Sequence, residues 1–304
     1  MLSPEIIRRI RNLNRQDLPK TAGPANFDIR SPSNGRLFST SELPAGREIE
    51  NSSGKHWLIE QPLSELCPAT HAGITSRSFR WQDKKRELHA ELDALQNGFP
   101  QAALFLDLET CGFAGSMVFL VGLLLHQHSD LVICQLLARN YSEEKAMFQT
   151  LWELLEKRSV LVTFNGKSFD WPVVKDRSIL HQLATTIQPL QRLTEISQLN
   201  RTANHGVSDP DPLIHCDLLH HARRLWKNRL PNCKLQTLEK YVCGRHRRGD
   251  IPGRDIPAAY HNYVRTGDAW QLGAVLHHNS LDLVTLLELS VAVIDRESVR
   301  SKAS

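Results

Sequence analysis

The sequence predicts a mixed α/β fold, a five-stranded sheet with helices on both faces. Three observations predict it. Short apolar runs of strand length recur between residues 102 and 218, and amphipathic helical stretches separate the later ones. The order is also telling: three strands in a meander, then helix, strand, helix, strand and helices. Elements in that order bury their apolar faces by laying helices against a sheet.

Ala102 to Asp107 is the first run, Met117 to Leu125 the second and Leu131 to Ala138 the third. Short continuous apolar runs suit buried strands. The polar link from His126 to Asp130 suits an antiparallel hairpin. A helix follows Ser142, a suitable N-cap, with Glu143 and Glu144 at its positive end and an apolar stripe of Phe148, Leu151, Trp152 and Leu155. Val160 to Phe164 is the fourth strand, returning parallel after that helix. The next helix begins near Phe169 and tolerates Pro172 in its first turn. Leu213 to Leu218 is the fifth strand. Beyond it the chain reads as helical over about 218–228, 234–242, 257–265 and 269–293, with breaks at Pro231, Gly244 and Gly267.

Residues 1–96 read as an N-terminal extension, partly irregular. It holds a short amphipathic helix over 3–14, a Pro-, Ser-, Asn- and Gly-rich stretch to about residue 54, one short strand from His56 to Gln61, and a helix near 81–97 stopped by Gly98 and Pro100. Residues 97–296 form the main domain and 297–304 a polar tail.

Composition narrows the class. At 41% hydrophobic and 23% charged, the 304-residue chain is an ordinary globular protein, and a net charge of +4 does not by itself argue for a nucleic-acid partner. None of the six cysteines forms a CxxC pair, which speaks against a zinc ribbon and for a reducing environment. The most apolar stretch, Met117 to Leu125, is about half the ~20 residues a membrane helix needs. The N-terminus has no apolar core of export-signal length. The expectation is a soluble, cytoplasmic protein with no membrane partner.

Carboxylates stand where chemistry is expected. Asp107 and Glu109 end the first strand, and side-chain alternation puts both on one face. Asp170 follows the fourth strand in Phe164-Asn-Gly-Lys-Ser-Phe-Asp170 and opens a helix. Asp282 lies in a late apolar helix, four residues after His278 and on the same helical face. Taken singly, a solvated strand end or helix-end acid accounts for each. A partly buried carboxylate needs a partner, and a cation is a natural one. Two cations ~3.5–4 Å apart suit in-line phosphodiester displacement, and oxygen-only ligands suit Mg²⁺ or Mn²⁺ better than zinc.

The segments DLET, FNGKSFD and HNSLD resemble the three motifs of the DEDD (DnaQ-like) superfamily of 3′–5′ exonucleases. From about 100 to 293 the chain resembles its YprB-type, ribonuclease H-like branch, including the stretch from Cys216 to Asp268. The resemblance implies a ribonuclease H-like sheet, two Mg²⁺ or Mn²⁺ ions on Asp107, Glu109, Asp170 and Asp282, and hydrolysis of DNA or RNA at a single-stranded end, without a small-molecule cofactor. The superfamily places its general base four or five residues before the last Asp. This chain has His278 and His277 at those positions, so the spacing leaves both open. Helical geometry favours His278, because His277 is rotated by about 100° from it. A non-catalytic nucleic-acid-binding module and a structure-selective endonuclease or resolvase are the alternatives on this fold.

Supporting residues follow. Thr110, with Gly112, is placed to approach a terminal nucleotide, and Asn165 and Lys167 to meet the substrate backbone. Asp217 reads as the cap of the following helix. Residues 215–268 carry eleven Lys/Arg against five acids, and Arg245, Arg247 and Arg248, between Gly244 and Gly249, suggest a mobile phosphate-contacting loop. Trp226, Tyr241, Tyr260 and Tyr263 suit base stacking, although aromatics at helical spacing more often face a core.

Overall fold

A computed structural model describes residues 41–82, 88–112, 115–183, 213–247 and 249–300. The helix expected over 3–14 and Arg248 lie outside them. The elements are β1 (Arg47–Asn51), β2 (Gly54–Pro62), α1 (Leu63–Leu66), α2 (Pro68–Gln82), α3 (Ala90–Gly98), β3 (Ala103–Thr110), β4 (Val118–Gln127), β5 (Asp130–Leu137), α4 (Glu144–Leu155), β6 (Val160–Thr163), α5 (Asp170–Leu180), β7 (Ile214–Asp217), α6 (Leu218–Trp226), α7 (Leu235–Leu238), α8 (Ile256–Thr266) and α9 (Trp270–Arg300). Of the helix expected over 81–97, the later part is α3.

The sheet runs β1-β2-β5-β4-β3-β6-β7. The meander β3, β4 and β5 is antiparallel, whereas β6 and β7 join parallel to β3. All five expected strands are present, but the sheet has seven. The added pair comes from the segment read as an extension: β2 lies antiparallel on β5, with Trp57 opposite Leu137, and β1 closes the edge. The reason for the difference is physical. β1 is an edge strand whose Arg47, Glu48 and Glu50 face solvent, so it lacks the apolar alternation of a half-buried strand.

Alternation on β3 sets up the site. Leu104, Leu106 and Leu108 pack with Met147, Phe148, Leu151 and Trp152 of α4 and with Trp171 and Val174 of α5. Ala103 and Phe105 point the other way, into a core with Leu283, Val284, Leu286 and Leu287 of α9. Asp107 and Glu109 therefore continue the α9 face. Trp226, Tyr260 and Tyr263 are buried core residues, and Tyr241 is exposed. Among the described residues, no helix is long and apolar enough to cross a membrane.

Candidate active site

The acidic side chains come from three elements and lie close enough to raise one another's pKa. β3 brings Asp107 and Glu109, the first turn of α5 brings Asp170, and the middle of α9 brings Asp282. A close approach makes this possible. Gly122 of β4 sits opposite Asp107 on one side and Gln135 of β5 on the other. A Cβ on Gly122 would lie 2.1 Å from Asn279 Oδ1, so only glycine lets α9 press Asn279 onto the sheet. There Asn279 Nδ2 donates to Asp107 Oδ2 at 2.8 Å, while Asn279 Oδ1 accepts from Gln135 Nε2 at 3.0 Å. Gln135 also donates to the Leu276 carbonyl at 2.7 Å.

The basin is short of positive charge. Burial, reinforced by Asp282, Glu109 and Asp170, holds the Asp107 carboxyl well above its ordinary range. Burial also pushes Glu109 to about 8, with Asp282, Asp170 and Asp250 adding to it against His278. Asp170 rises to about 7, through burial and then the charges of Asp217 and Asp282. Asp282 differs: burial opposes its ionisation, but His278 and Arg247 outweigh burial and hold it low. Among the described residues, the acidic four are not a set whose ligand atoms all fall within 4.8 Å; His89, Glu91 and His221 are. Like charges hold the acidic groups apart, and Arg247 and His278 engage Asp282.

His278 lies on the same face as Asp282, with Nε2 at 3.2 Å from Asp282 Oδ2. Its Nδ1 donates to Asp250 Oδ1 at 2.8 Å. Burial would lower the His278 pKa, but hydrogen bonds to Asp250 and Asp282 win and lift it to about 10. In this arrangement His278 is an imidazolium clamped between two carboxylates. Burial instead keeps His277 below the ordinary histidine range.

Arg245 and Arg247 depart from the sequence expectation. The Arg247 side chain is largely buried and pairs with Glu239 at 2.7 Å, Asp250 at 3.1 Å and Asp282. Arg245 is buried against Thr285 at 2.7 Å and Glu288 at 3.0 Å. A buried guanidinium must be paired, and the acids of α9 and of the π-helical turn Glu239–Cys243 pair both. Neither forms a solvent-facing phosphate loop. Asp217 is a cap as expected: its carboxylate accepts from Leu219 N at 3.0 Å, and also from Asn165 N at 2.8 Å and Lys167 N at 3.1 Å. Asn165 takes a left-handed turn with φ 64°, and Lys167 reaches Glu91 of α3. Thr110 donates to the Gly112 carbonyl at 3.0 Å just past the acidic pair.

Sequence reasoning missed Asn279, Gln135, Gly122 and Asp250. Gly122 did leave a signal: an isolated glycine inside an apolar strand marks a bulge or a close backbone approach.

A ribonuclease H superfamily domain model matches residues 104–294. The chain belongs to the ribonuclease H superfamily. That superfamily includes nucleic-acid hydrolases, which generally use divalent metals, and the carboxylate basin lies inside the matched stretch. A Bacillus subtilis (strain 168) protein described as "Uncharacterized protein YprB" is 33% identical over 190 residues, or 62% of this chain. The match spans 40% of that protein's length. β3 from its second residue, all of β4 to β7, and most of the length of α9 fall within the ribonuclease H match, whereas β1 and β2 precede it.

Proposed function

We propose that this ribonuclease H superfamily member is a two-metal-ion nuclease, a 3′–5′ exonuclease of the DEDD type acting on single-stranded DNA or RNA ends. The observation that supports the reading is the mutual charge effect among Asp107, Glu109, Asp170 and Asp282, which come from a strand end, a helix start and the long C-terminal helix. The donor set fits the implied metals. Its ligands are carboxylate oxygens, which suit Mg²⁺ or Mn²⁺, and three of its four groups resist ionising together without added positive charge. Two bound cations would polarise the phosphodiester and stabilise the charge that builds on its oxygens.

The chain's own residues supply the rest. Asn279 fixes the rotamer of Asp107, and Gln135 fixes Asn279. Asp250 orients His278 through Nδ1, so Nε2 is the atom turned toward Asp282 and the site. Phe169, 45% exposed beside Asp170, offers a ring on which a terminal base can stack, which supports a single-stranded substrate.

The test uses end-labelled linear and covalently circular single strands, as DNA and as RNA, with Mg²⁺, with Mn²⁺ and with chelator. Stepwise mononucleotide release from linear strands alone, abolished by chelator and in Asp107→Asn or Asp282→Asn, is expected. Cut circles would replace the exonuclease reading by the endonuclease one. Undiminished turnover in folded Asp107→Asn would reject the metal assignment.

A further inference from the structure

Beside the acidic basin lies a second built feature, a pocket of about 310 Å³ lined by His89, Glu91, Lys167, His220, His221 and Arg224. It brings together the start of α3, the β6–α5 turn and α6. We propose that it is a phosphate-binding subsite for the nucleic-acid backbone. The carrier of that phosphate rests on the nuclease reading; the anion chemistry does not.

Hydrogen-bond direction decides between an anion and a metal. Ligand atoms of His89, Glu91 and His221 all lie within 4.8 Å of one another, a spacing that a metal ion also fits. The groups behind them do not suit one. Arg224 lies with its terminal nitrogen 3.1 Å from His221 Nδ1. A guanidinium only donates, so Nδ1 accepts and the His221 proton sits on Nε2. That Nε2 faces Glu91 Oε2 at 3.2 Å, as a donor. A metal-ligating histidine needs the reverse: a bare nitrogen toward the ion and an acceptor behind the other. The second Glu91 oxygen holds the Lys167 ammonium, which would repel a bound cation.

Both oxygens of the pocket's carboxylate are thus engaged, and donors are what remain. Lys167 keeps two of its three ammonium hydrogens beyond the Glu91 contact. Arg224, 43% exposed, is shared with Glu297 at 3.0 Å and retains further N–H groups. The His220 side chain is 56% exposed at the rim, and His89 is exposed as well. The volume admits a phosphodiester group with a few waters of about 30 Å³ each. Location ties the pocket to the basin. Lys167 lies three residues before Asp170, and Asp217 clamps its backbone N–H to the N-terminus of α6. The charge of Asp217 also reaches Asp170, so the residue that holds the Lys167 turn links pocket and basin, and a strand bound at the basin can set a neighbouring phosphate in the pocket.

The test measures binding of a labelled single-stranded oligonucleotide in chelator, where cleavage is absent, by the intact protein and by the double variant Lys167→Met, Arg224→Met. The expected result is about tenfold weaker binding, and a log–log salt slope shallower by about 1.4, at ~0.7 per lost contact. Millimolar inorganic phosphate should compete in the intact protein and not in the variant, whose thermal melt should be unchanged. An unchanged affinity and slope would overturn the proposal. So would saturable Zn²⁺ binding by the intact protein that Glu91→Gln abolishes. Because the readout needs no turnover, the two readings fail separately. Slope loss in a protein that cleaves nothing keeps the subsite and sinks the nuclease; cleavage with an unchanged slope does the opposite.

Discussion

At the scale of single residues, the basin sets ionisation against folding. Burial raises the Glu109 carboxyl from 4.5 to about 8. A group whose folded pKa is raised lends stability below its unfolded value and loses it as pH climbs through the folded one. In chelator, the protein should therefore lose stability between about pH 4.5 and pH 8 through this group. Glu109→Gln should remove that loss, melting a few degrees above the parent near pH 9, at ~2–4 °C per kcal/mol, while abolishing cleavage. Calorimetry in chelator checks this; a lower melt at high pH would contradict the charge-shortage account. A second residue test concerns Gly122. Gly122→Ala sets a methyl against Asn279, and Asn279→Ala leaves Asp107 and Gln135 without their shared partner, an effect on the order of 1–3 kcal/mol. Both should cut turnover at least tenfold; full activity in Gly122→Ala would show that Asn279 does not position Asp107. The four acids were legible in the sequence because each sits at a strand end or on a helical face beside a distinctive spacing. Asn279, Gln135 and Asp250 were not, since their roles arise only when α9 meets the sheet and Asp250 meets His278.

At the scale of elements, the meander and the first parallel strand were legible because each is a mostly buried apolar run, and β7 because Leu213 to Leu218 is a short strand-like run after a patternless stretch. β1 was hidden, and β2 was legible as a short strand from His56 to Gln61 but not as a member of the sheet. β2 mixes buried His56, Leu58 and Ile59 with exposed Lys55 and Glu60, and β1 faces solvent. Yet β2 pairs with β5 from Trp57 opposite Leu137 to Pro62 opposite Val132, and α4 packs beneath, where Asn51 donates to the Ala146 carbonyl at 2.9 Å. A chain beginning at Leu63 would expose that edge of β5. An unpaired apolar edge invites association with another copy. The shortened protein should melt lower and self-associate by size-exclusion chromatography, with faster amide exchange across Val132–Leu137. A monomer of parental stability would show that β1 and β2 are ornaments on the sheet.

At the scale of the whole molecule, the segment 215–268 carries a net +6 in a chain of net +4, which pointed to a basic nucleic-acid face. The folded protein divides that charge into two kinds. Arg245 and Arg247 are turned inward, and Arg247 alone meets Glu239, Asp250 and Asp282. Arg223, Lys227 and Arg229 are exposed on and just after α6, the helix that also supplies one wall of the phosphate pocket. Sequence counts charges but cannot tell these kinds apart, because the acids that neutralise the buried arginines are up to 43 residues away, as Glu288 is from Arg245. The two groups should respond oppositely to neutralisation. Arg247→Met removes one cation shared by three carboxylates, and breaking such a buried pair costs about 3–5 kcal/mol, so the protein should melt far lower. Arg223→Ser, Lys227→Ser and Arg229→Ser together touch no buried partner and should leave the melt unchanged. If they lie along the strand's path, oligonucleotide binding in chelator should lose about 0.7 of salt slope for each contact removed, toward ~2 in all. A triple variant with the parental slope would take α6 out of the path, leaving the pocket at Lys167 as the contact to examine; a stable Arg247→Met variant would mean that His278 alone suffices to hold Asp282.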